Sequence, residues 1–427
     1  MGVTAVVGAN WGDEGKGKIT DYLASSADYV VRFQGGSNAG HTILNEWGKF
    51  ALHLLPSGIF YQHVQNVIGP GVAVNLQGLV QELDNLARKR VPAPRLLIAD
   101  RAQIVLPVHV LLDAAEEERL GFEQFGSTRS GIAPFYADKA LKLGIQVADL
   151  ANKPHLLTRI QQNLVLKNVL LQHVYNLPPI DAEELTNDLW NHARIIAPYV
   201  SDVSLVLQQA LQRKSRIVLE GQLGALRDPD HGIYPFTTSS PTLAGFASVG
   251  AGTPAHTITR IIAVTKAYST CVGAGPFVTE LPPEQAQVLR ERGGDAGEYG
   301  ATTGRPRRIG WFDCVATKYG AAIQGATEVA LTNLDVLSYL NEIPIATAYQ
   351  IDGQNITHFP NTRALTRAVP VLEVMPGWRS DITQARRYSE LPQKARQYVE
   401  RLETLIDMPI RLISVGPHRE QILYKGS

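Results

Sequence analysis

Short apolar runs recur along the chain, with helix-patterned stretches between them. Runs opening at Val3 and spanning Tyr29 to Phe33, Val64 to Ile68, Leu96 to Ala99, Ile217 to Leu219, Ile261 to Val264, Val329 to Thr332, Ile345 to Tyr349 and Leu412 to Val415 read as strands. Several are continuously apolar rather than alternating, as in a sheet covered on both faces. Strands alternating with helices predict an α/β fold with a large, mostly parallel central sheet flanked by helices. From about Lys153 to Lys214 the period changes: Leu156, Ile160 and Leu164 follow helical spacing, and Pro178-Pro179 interrupts it. This predicts a helical insertion, at about 100–214, within a single domain over 1–427, its apolar stripes buried as core. No repeat, low-complexity segment or long linker divides the chain.

Composition narrows the field. The 427 residues carry 40 Lys plus Arg against 40 Asp plus Glu, a formal charge of zero. That balance argues against a nucleic-acid polymer or a membrane surface as partner, so positive charge has to be sought in local clusters. Cys271 and Cys314, the only cysteines, exclude a disulfide framework and a cysteine-rich metal site. The sequence opens on a strand without a basic-then-apolar leader, and no apolar run is long enough to cross a bilayer. The expectation is a cytoplasmic protein.

The densest candidate chemistry follows the first strand. Gly8-Ala9-Asn10-Trp11-Gly12-Asp13-Glu14-Gly15-Lys16-Gly17-Lys18 is a glycine-rich turn running into a helix. Such turns bring backbone N–H groups and a helix N-terminus to a phosphate, and Lys16 and Lys18 add full charge. Gly12 to Lys18 fits the spacing G-x-x-x-x-G-K, but Ile19 stands where Ser or Thr holds magnesium, and the spare oxygen ligand is Asp13. The reading is a P-loop-like phosphate loop with its own acid. A second strand, taken as the neighbour of the first, leads into Gln34-Gly35-Gly36-Ser37-Asn38-Ala39-Gly40-His41-Thr42. Asn38 and His41 thereby reach the sheet edge where α/β proteins bind ligands, in a setting with no apolar face for the histidine.

Further loops carry polar clusters. Gly126-Ser127-Thr128-Arg129-Ser130-Gly131 has hydroxyls and charge for a phosphate, although such loops are mostly structural. Glu220-Gly221-Gln222-Leu223-Gly224 follows another strand, with Asp230 to Ser240 beyond it. Gly300 to Arg308 is the most basic loop, and a guanidinium grips a carboxylate through two parallel hydrogen bonds. The strand from Val329 leads to Asn333-Leu334-Asp335. A carboxylate there accepts both N1–H and the exocyclic amine of guanine, a pair adenine lacks.

Trp11 to Lys18 together with Asn38-Ala39-Gly40-His41-Thr42 resembles the adenylosuccinate synthetase family, and matching segments run from Val3 to Ser414-Val415-Gly416-Pro417. The resemblance implies ligation of IMP and L-aspartate driven by GTP, with one Mg2+ per subunit and a 6-phosphoryl-IMP intermediate. Asp13 is the implied base on IMP N1, and His41 the implied partner of the transferring phosphoryl group. GTP is implied to lie on Gly12, Asp13, Glu14, Gly15, Lys16, Gly17 and Lys18, on Gly40, His41, Thr42 and Arg307, on Asn333, Leu334 and Asp335, and on Ser414, Val415 and Gly416. IMP is implied to meet Asp13, Glu14, Gly15 and Lys16, then Asn38, Ala39, Gly40 and His41, then Thr128, Lys142, Gln222, Leu223, Thr238 and Arg305. Aspartate falls to Ala301, Thr302, Thr303, Gly304, Arg305 and Arg307, and the metal to Asp13 and Gly40. A homodimer is implied, with Lys142 reaching the neighbour's IMP.

The chain departs from the family pattern at three of these positions. Lys142 stands for an arginine and loses its fork. Leu223 stands for a glutamine, with Gln222 adjacent, and Asn333 stands for a lysine whose stem stacks on the base. Two other readings remain. A related ligase acting on another purine monophosphate is expected to lack the acid at Asp13. A GTP-binding switch without ligase activity leaves Asn38, His41 and the loop from Thr302 to Arg307 unexplained.

Overall fold

The computed structural model describes residues 2–293, 297–300 and 304–426. Its centre is a 10-stranded sheet. The strands are β1 (Val3–Gly8), β2 (Tyr29–Arg32), β3 (Gln65–Ile68), β4 (Leu96–Ala99), β5 (Val200–Ser201), β6 (Ile217–Glu220), β7 (Ile258–Lys266), β8 (Glu328–Thr332), β9 (Ile410–Ser414) and β10 (Ile422–Tyr424). They stand in the order β10-β9-β8-β7-β1-β6-β2-β3-β4-β5. All pairings are parallel except β9 with β10. Val3, Ala5, Val6 and Val7 of β1 and Ile217 and Leu219 of β6 are buried, which is why these strands read as continuous apolar runs.

Two expectations about strand placement change. β2 is not beside β1, because β6 pairs with both, Val3 to Val6 on one side and Tyr29 to Arg32 on the other. The crossover through α1 (Lys16–Ala24) leaves one slot open, and a strand from much later in the chain fills it. The run at Ile345 to Tyr349 is a strand, Glu342–Ile351, but it lies in a separate four-stranded sheet with Phe312–Asp313, Gln354–Ile356 and Val369–Pro376.

Beyond α2 (Leu76–Arg88), the segment between β4 and β6 holds α3 (Pro107–Leu120), α4 (Ile132–Leu141), α5 (Lys153–His173), α6 (Ala182–Ile196) and α7 (Val203–Gln212), and it also delivers β5 to the sheet edge. Leu156, Ile160 and Leu164 of α5 are core, as their spacing predicts. The apolar stripes are not all core, however. Val165, Leu166 and Val169 of α5 are 64%, 59% and 50% exposed, because α5 packs inward through only one of its two apolar faces. Among the described residues, no helix is long and apolar enough to cross a membrane.

Candidate active site

The loops that leave the carboxyl ends of β1, β6 and β2 close on one cavity of about 720 Å3. Trp11, Asp13, Asn38, Ala39, Gly40, Thr128, Leu223 and Thr238 all contribute to its walls. Trp11 Nε1 and Asn38 Oδ1 are buried without a hydrogen-bond partner among the described residues, so the walls carry one unmatched donor and one unmatched acceptor.

The β1 loop folds around its own glutamate. Glu14 Oε1 accepts from the N–H groups of Asn10 at 3.1 Å and Gly12 at 2.8 Å, and Glu14 Oε2 accepts from Lys16 Nζ at 2.6 Å. Those two loop amides therefore serve Glu14 rather than a phosphate. The first N–H groups of α1, which lack partners within the helix, remain as anion donors. Gly15 enters the helix at φ 90°, and a Cβ on Gly17 would lie 2.7 Å from His41 Cβ, so neither tolerates a side chain easily.

Lys18 departs from its expected place. Its Nζ donates to Ser414 Oγ at 2.7 Å and to the carbonyls of Gly416 and Gln421. Burial pulls its pKa down to about 8. α1 turns Lys18 toward the loop after β9, so it ties the helix that follows the glycine-rich turn to that loop. Leu334 and Val415 are core residues, so only their backbones are offered to a ligand.

His41 begins a hairpin, His41–Asn45 with Gly48–Leu52. Its Nδ1 lies 2.5 Å from Glu220 Oε1, and Arg32 Nη1 is 3.5 Å from the same nitrogen. Burial pulls the His41 pKa below the ordinary value, with Glu220 working against it. Burial also opposes ionisation of Glu220, but His41, Arg32 and Ser57 together hold its carboxyl below the usual range.

Asp13, at φ 61°, has its Oδ2 2.9 Å from Arg307 Nε. Arg307 also donates to Glu298, which takes Lys266 Nζ at 2.7 Å and Tyr268 Oη at 2.5 Å. Asn333 belongs to this group, its Nδ2 3.3 Å from Tyr268 Oη. Its backbone is left-handed at φ 56°, a conformation Asn adopts more readily than Lys. Asp335 instead lines a second cavity, of about 450 Å3, beside Arg292, Tyr339 and Arg379.

The loop around Thr128 is held from below by α3. Asp113 accepts from Ser127 Oγ at 2.8 Å and Gly131 N at 2.8 Å, while Glu117 accepts from the N–H groups of Phe125 and Gly126. Lys142 caps α4 in a left-handed turn at φ 64° and is exposed. The end of α4 is pinned by buried Asp138, which binds His109 at 2.8 Å, Asn163 at 2.6 Å and Lys167 at 2.5 Å.

Gln222 does not face the cavity. Its Oε1 accepts from Gly36 N at 2.9 Å, and its Nε2 donates to Gly36 O and Ala39 O, each at 2.8 Å. Both amide N–H groups are thereby used within the protein. Ala301, Thr302 and Thr303 lie outside the described residues. Gly300 and Gly304 flank them, and Gly300 N donates to Arg305 O at 2.8 Å. Sequence reasoning missed Glu220, Arg32 and Glu298. The available signal was a charge at the end of an apolar strand for Glu220 and Arg32.

Among the described residues, no group of three or more acids, histidines or cysteines is arranged to enclose a metal. Asp13 is the phosphate-loop acid on the cavity wall. A single carboxylate beside a phosphate site fits Mg2+, which takes one or two carboxylates together with phosphate oxygens and water.

The model of the family described as adenylosuccinate synthetase matches residues 5–423. The adenylosuccinate synthetase of Heliobacterium modesticaldum is 46% identical over 427 residues, covering 100% of this chain and 99% of that protein. That of Brevibacillus brevis is 45% identical over 422 residues, covering 99% of this chain and 98% of the relative. A solved structure of fully ligated adenylosuccinate synthetase from Plasmodium falciparum superposes with a TM-score of 0.93 at 34% identity, covering 100% of both chains. A cyanophage S-2L succinoaminodeoxyadenylate synthetase, solved with dGMP and dATP, shares the fold at a TM-score of 0.57 and 19% identity, covering 100% of this chain and 96% of that one.

Proposed function

The chain belongs to the adenylosuccinate synthetase family, and from that premise we propose that the cavity at the β1, β6 and β2 edge is where it joins IMP to L-aspartate. The reaction consumes GTP and yields adenylosuccinate, GDP and phosphate. The observation that carries the assignment is Asp13, an acid within a phosphate loop, on the wall of the same cavity as Asn38 and Gly40. Neither a GTP switch nor a ligase lacking that acid accounts for it.

C–N bond formation at C6 of the purine needs a better leaving group than its oxygen. Asp13 takes the N1 proton of IMP, which drives negative charge onto O6, and O6 attacks the γ-phosphate of GTP. His41 presents Nε2 to the transferring phosphoryl group, because Nδ1 is committed to Glu220. Lys16 and the N-terminal amides of α1 offset the spreading charge. Aspartate, held by Arg305 and the threonine-bearing loop, then displaces phosphate from C6. Asp13 and the Gly40 carbonyl would hold Mg2+, which when bound would offset phosphate charge.

Leu223 forms an apolar wall of the IMP site, while Gln222 supports a loop rather than touching the nucleotide. Asp335, Ser414 and Gly416 serve guanine. The domain reading is one α/β unit with a mainly helical insertion that also supplies β5. The family is typically dimeric, and the exposed apolar face of α5, whose Leu166 lines the cavity together with Leu141 and Leu143, is the surface we assign to the partner. The test follows IMP absorbance after addition of GTP, Mg2+ and L-aspartate, with each left out in turn. Conversion must require all of them, and GTP hydrolysis that ignores IMP and aspartate would reject the ligase site.

A further inference from the structure

We infer that the carboxyl end of β6 presets the loop from Gln34 to His41, with Glu220 and Gln222 as positioning residues for the ligase reaction. The inference rests on the site assignment proposed above.

Glu220 is fully buried and collects three donors: Ser57 N at 2.8 Å, the Ser57 hydroxyl, and His41 Nδ1. One carboxylate therefore ties the end of β6 to the turn at Ser57 and to the first residue of the hairpin. An imidazole whose Nδ1–H is given to a carboxylate has its ring plane and tautomer fixed, and only Nε2 is left for a ligand. Arg32, on the adjacent strand β2, lies against the pair and donates from Nη2 to the His53 carbonyl at 2.8 Å. Its charge keeps the buried carboxylate from being unpaired.

Gln222 holds the other end of the loop. It is 1% exposed, its side chain grips Gly36 and Ala39, and its own carbonyl accepts from Gln34 Nε2 at 2.7 Å. Asn38, Gly40 and His41 thus sit on a segment held by Gln222 at Gly36 and Ala39 and by Glu220 at His41. The next residue turns the other way. Leu223 has φ 61°, a left-handed backbone that a bulky residue holds only under constraint. The turn sends successive side chains to different duties, Gln222 into the loop and Leu223 to the cavity wall.

The experiment measures kcat and the separate KM values of Gln222→Ala and Glu220→Gln, with melting temperature as a check on folding. A displacement near 1 Å can cost about a hundredfold in rate. The expected result is a kcat loss of about tenfold or more in each, with KM for L-aspartate nearly unchanged. Nitrogen NMR of labelled His41 should show a single Nδ1–H tautomer in the wild type and a mixed population in Glu220→Gln. Ser57→Ala, which removes one donor without disturbing the sheet, should lower kcat by a smaller factor and covers the case in which Glu220→Gln does not fold. A Gln222→Ala variant with raised KM for IMP and full kcat means that Gln222 touches the nucleotide directly, and it overturns the inference. So does an unchanged His41 signal together with full kcat in Glu220→Gln or Ser57→Ala. Asp13→Asn separates the two levels: if it stays active, the site assignment fails, and if it is dead while these variants are fully active, only the positioning role fails.

Discussion

Arg307 reaches 294 positions back along the chain to donate from Nε to Asp13 Oδ2 at 2.9 Å. This pair joins the basic loop, assigned to aspartate, to the acid of the phosphate loop. Arg307 is held in turn by Glu298. Burial opposes ionisation of that carboxyl, but Lys266 and Arg307 overcome it and keep its pKa at about 2. The residue that orients Asp13 therefore rests on a charged group that does not titrate near neutral pH.

Asp13→Asn should leave the melting temperature nearly unchanged and remove almost all turnover. General bases contribute about 10²–10⁴-fold, and loss of a magnesium ligand adds to that. Steady-state assay of the folded variant checks it, and activity within about tenfold of wild type contradicts the assignment.

GTP binding should depend on pH through Asp335. Burial raises its pKa from 3.8 to about 6, against the pull of Lys18. Only the ionised carboxylate accepts both guanine donors, so KM for GTP should rise as pH falls through about 6. The same shift works on stability in the opposite sense. The folded chain binds this proton more tightly than the unfolded chain, so the group's contribution declines as pH rises between 3.8 and about 6. Asp335→Asn should therefore raise KM for GTP and also raise the melting temperature at pH above that window. Equal use of ATP and GTP by the wild type would refute guanine recognition here.

Arg305→Lys keeps the charge and loses the two-pronged grip on a carboxylate. KM for L-aspartate should rise by about tenfold or more, with a smaller change for GTP. An unmoved aspartate constant would make the loop an ordinary basic surface.

Lys142 should act across a dimer interface. Asp13→Ala and Lys142→Ala are expected to be nearly inactive alone. Exchanged in equal amounts, half the dimers are mixed and half of their sites carry neither lesion, so about a quarter of wild-type activity should return, as a two-fold interface requires. Proven subunit exchange without recovery, or a fully active Lys142→Ala, excludes the shared site.

The phosphate loop shows how far local pattern reaches. Its place after β1, its helix and its acid at Asp13 all follow from residues within one turn of each other. Lys18 carries the same local signal as Lys16, yet its ammonium goes to Ser414 and Gly416, because the loop after β9 packs beside α1. Glu14 gave no signal of closing on Asn10 and Gly12, since that depends on the loop's own curvature. Gln222 and Leu223 are neighbours whose opposite duties depend on one left-handed backbone angle.

The α/β class and the glycine-rich turn between β1 and α1 were determined by the sequence alone. Apolar runs, glycine spacing and charge clusters are short-range properties, and the physics that reads them acts over a few residues. Only the tertiary structure decided that β6 slides between β1 and β2, which brings Glu220 to His41 and Gln222 to Gly36 and Ala39. It also decided that Arg307 meets Asp13 and that Lys18 meets Ser414. Each of these depends on which strands pair and which loops share an edge of the sheet. Parallel pairing joins segments through crossovers of variable length, so the partner of a strand is set by packing of the whole core rather than by any local period.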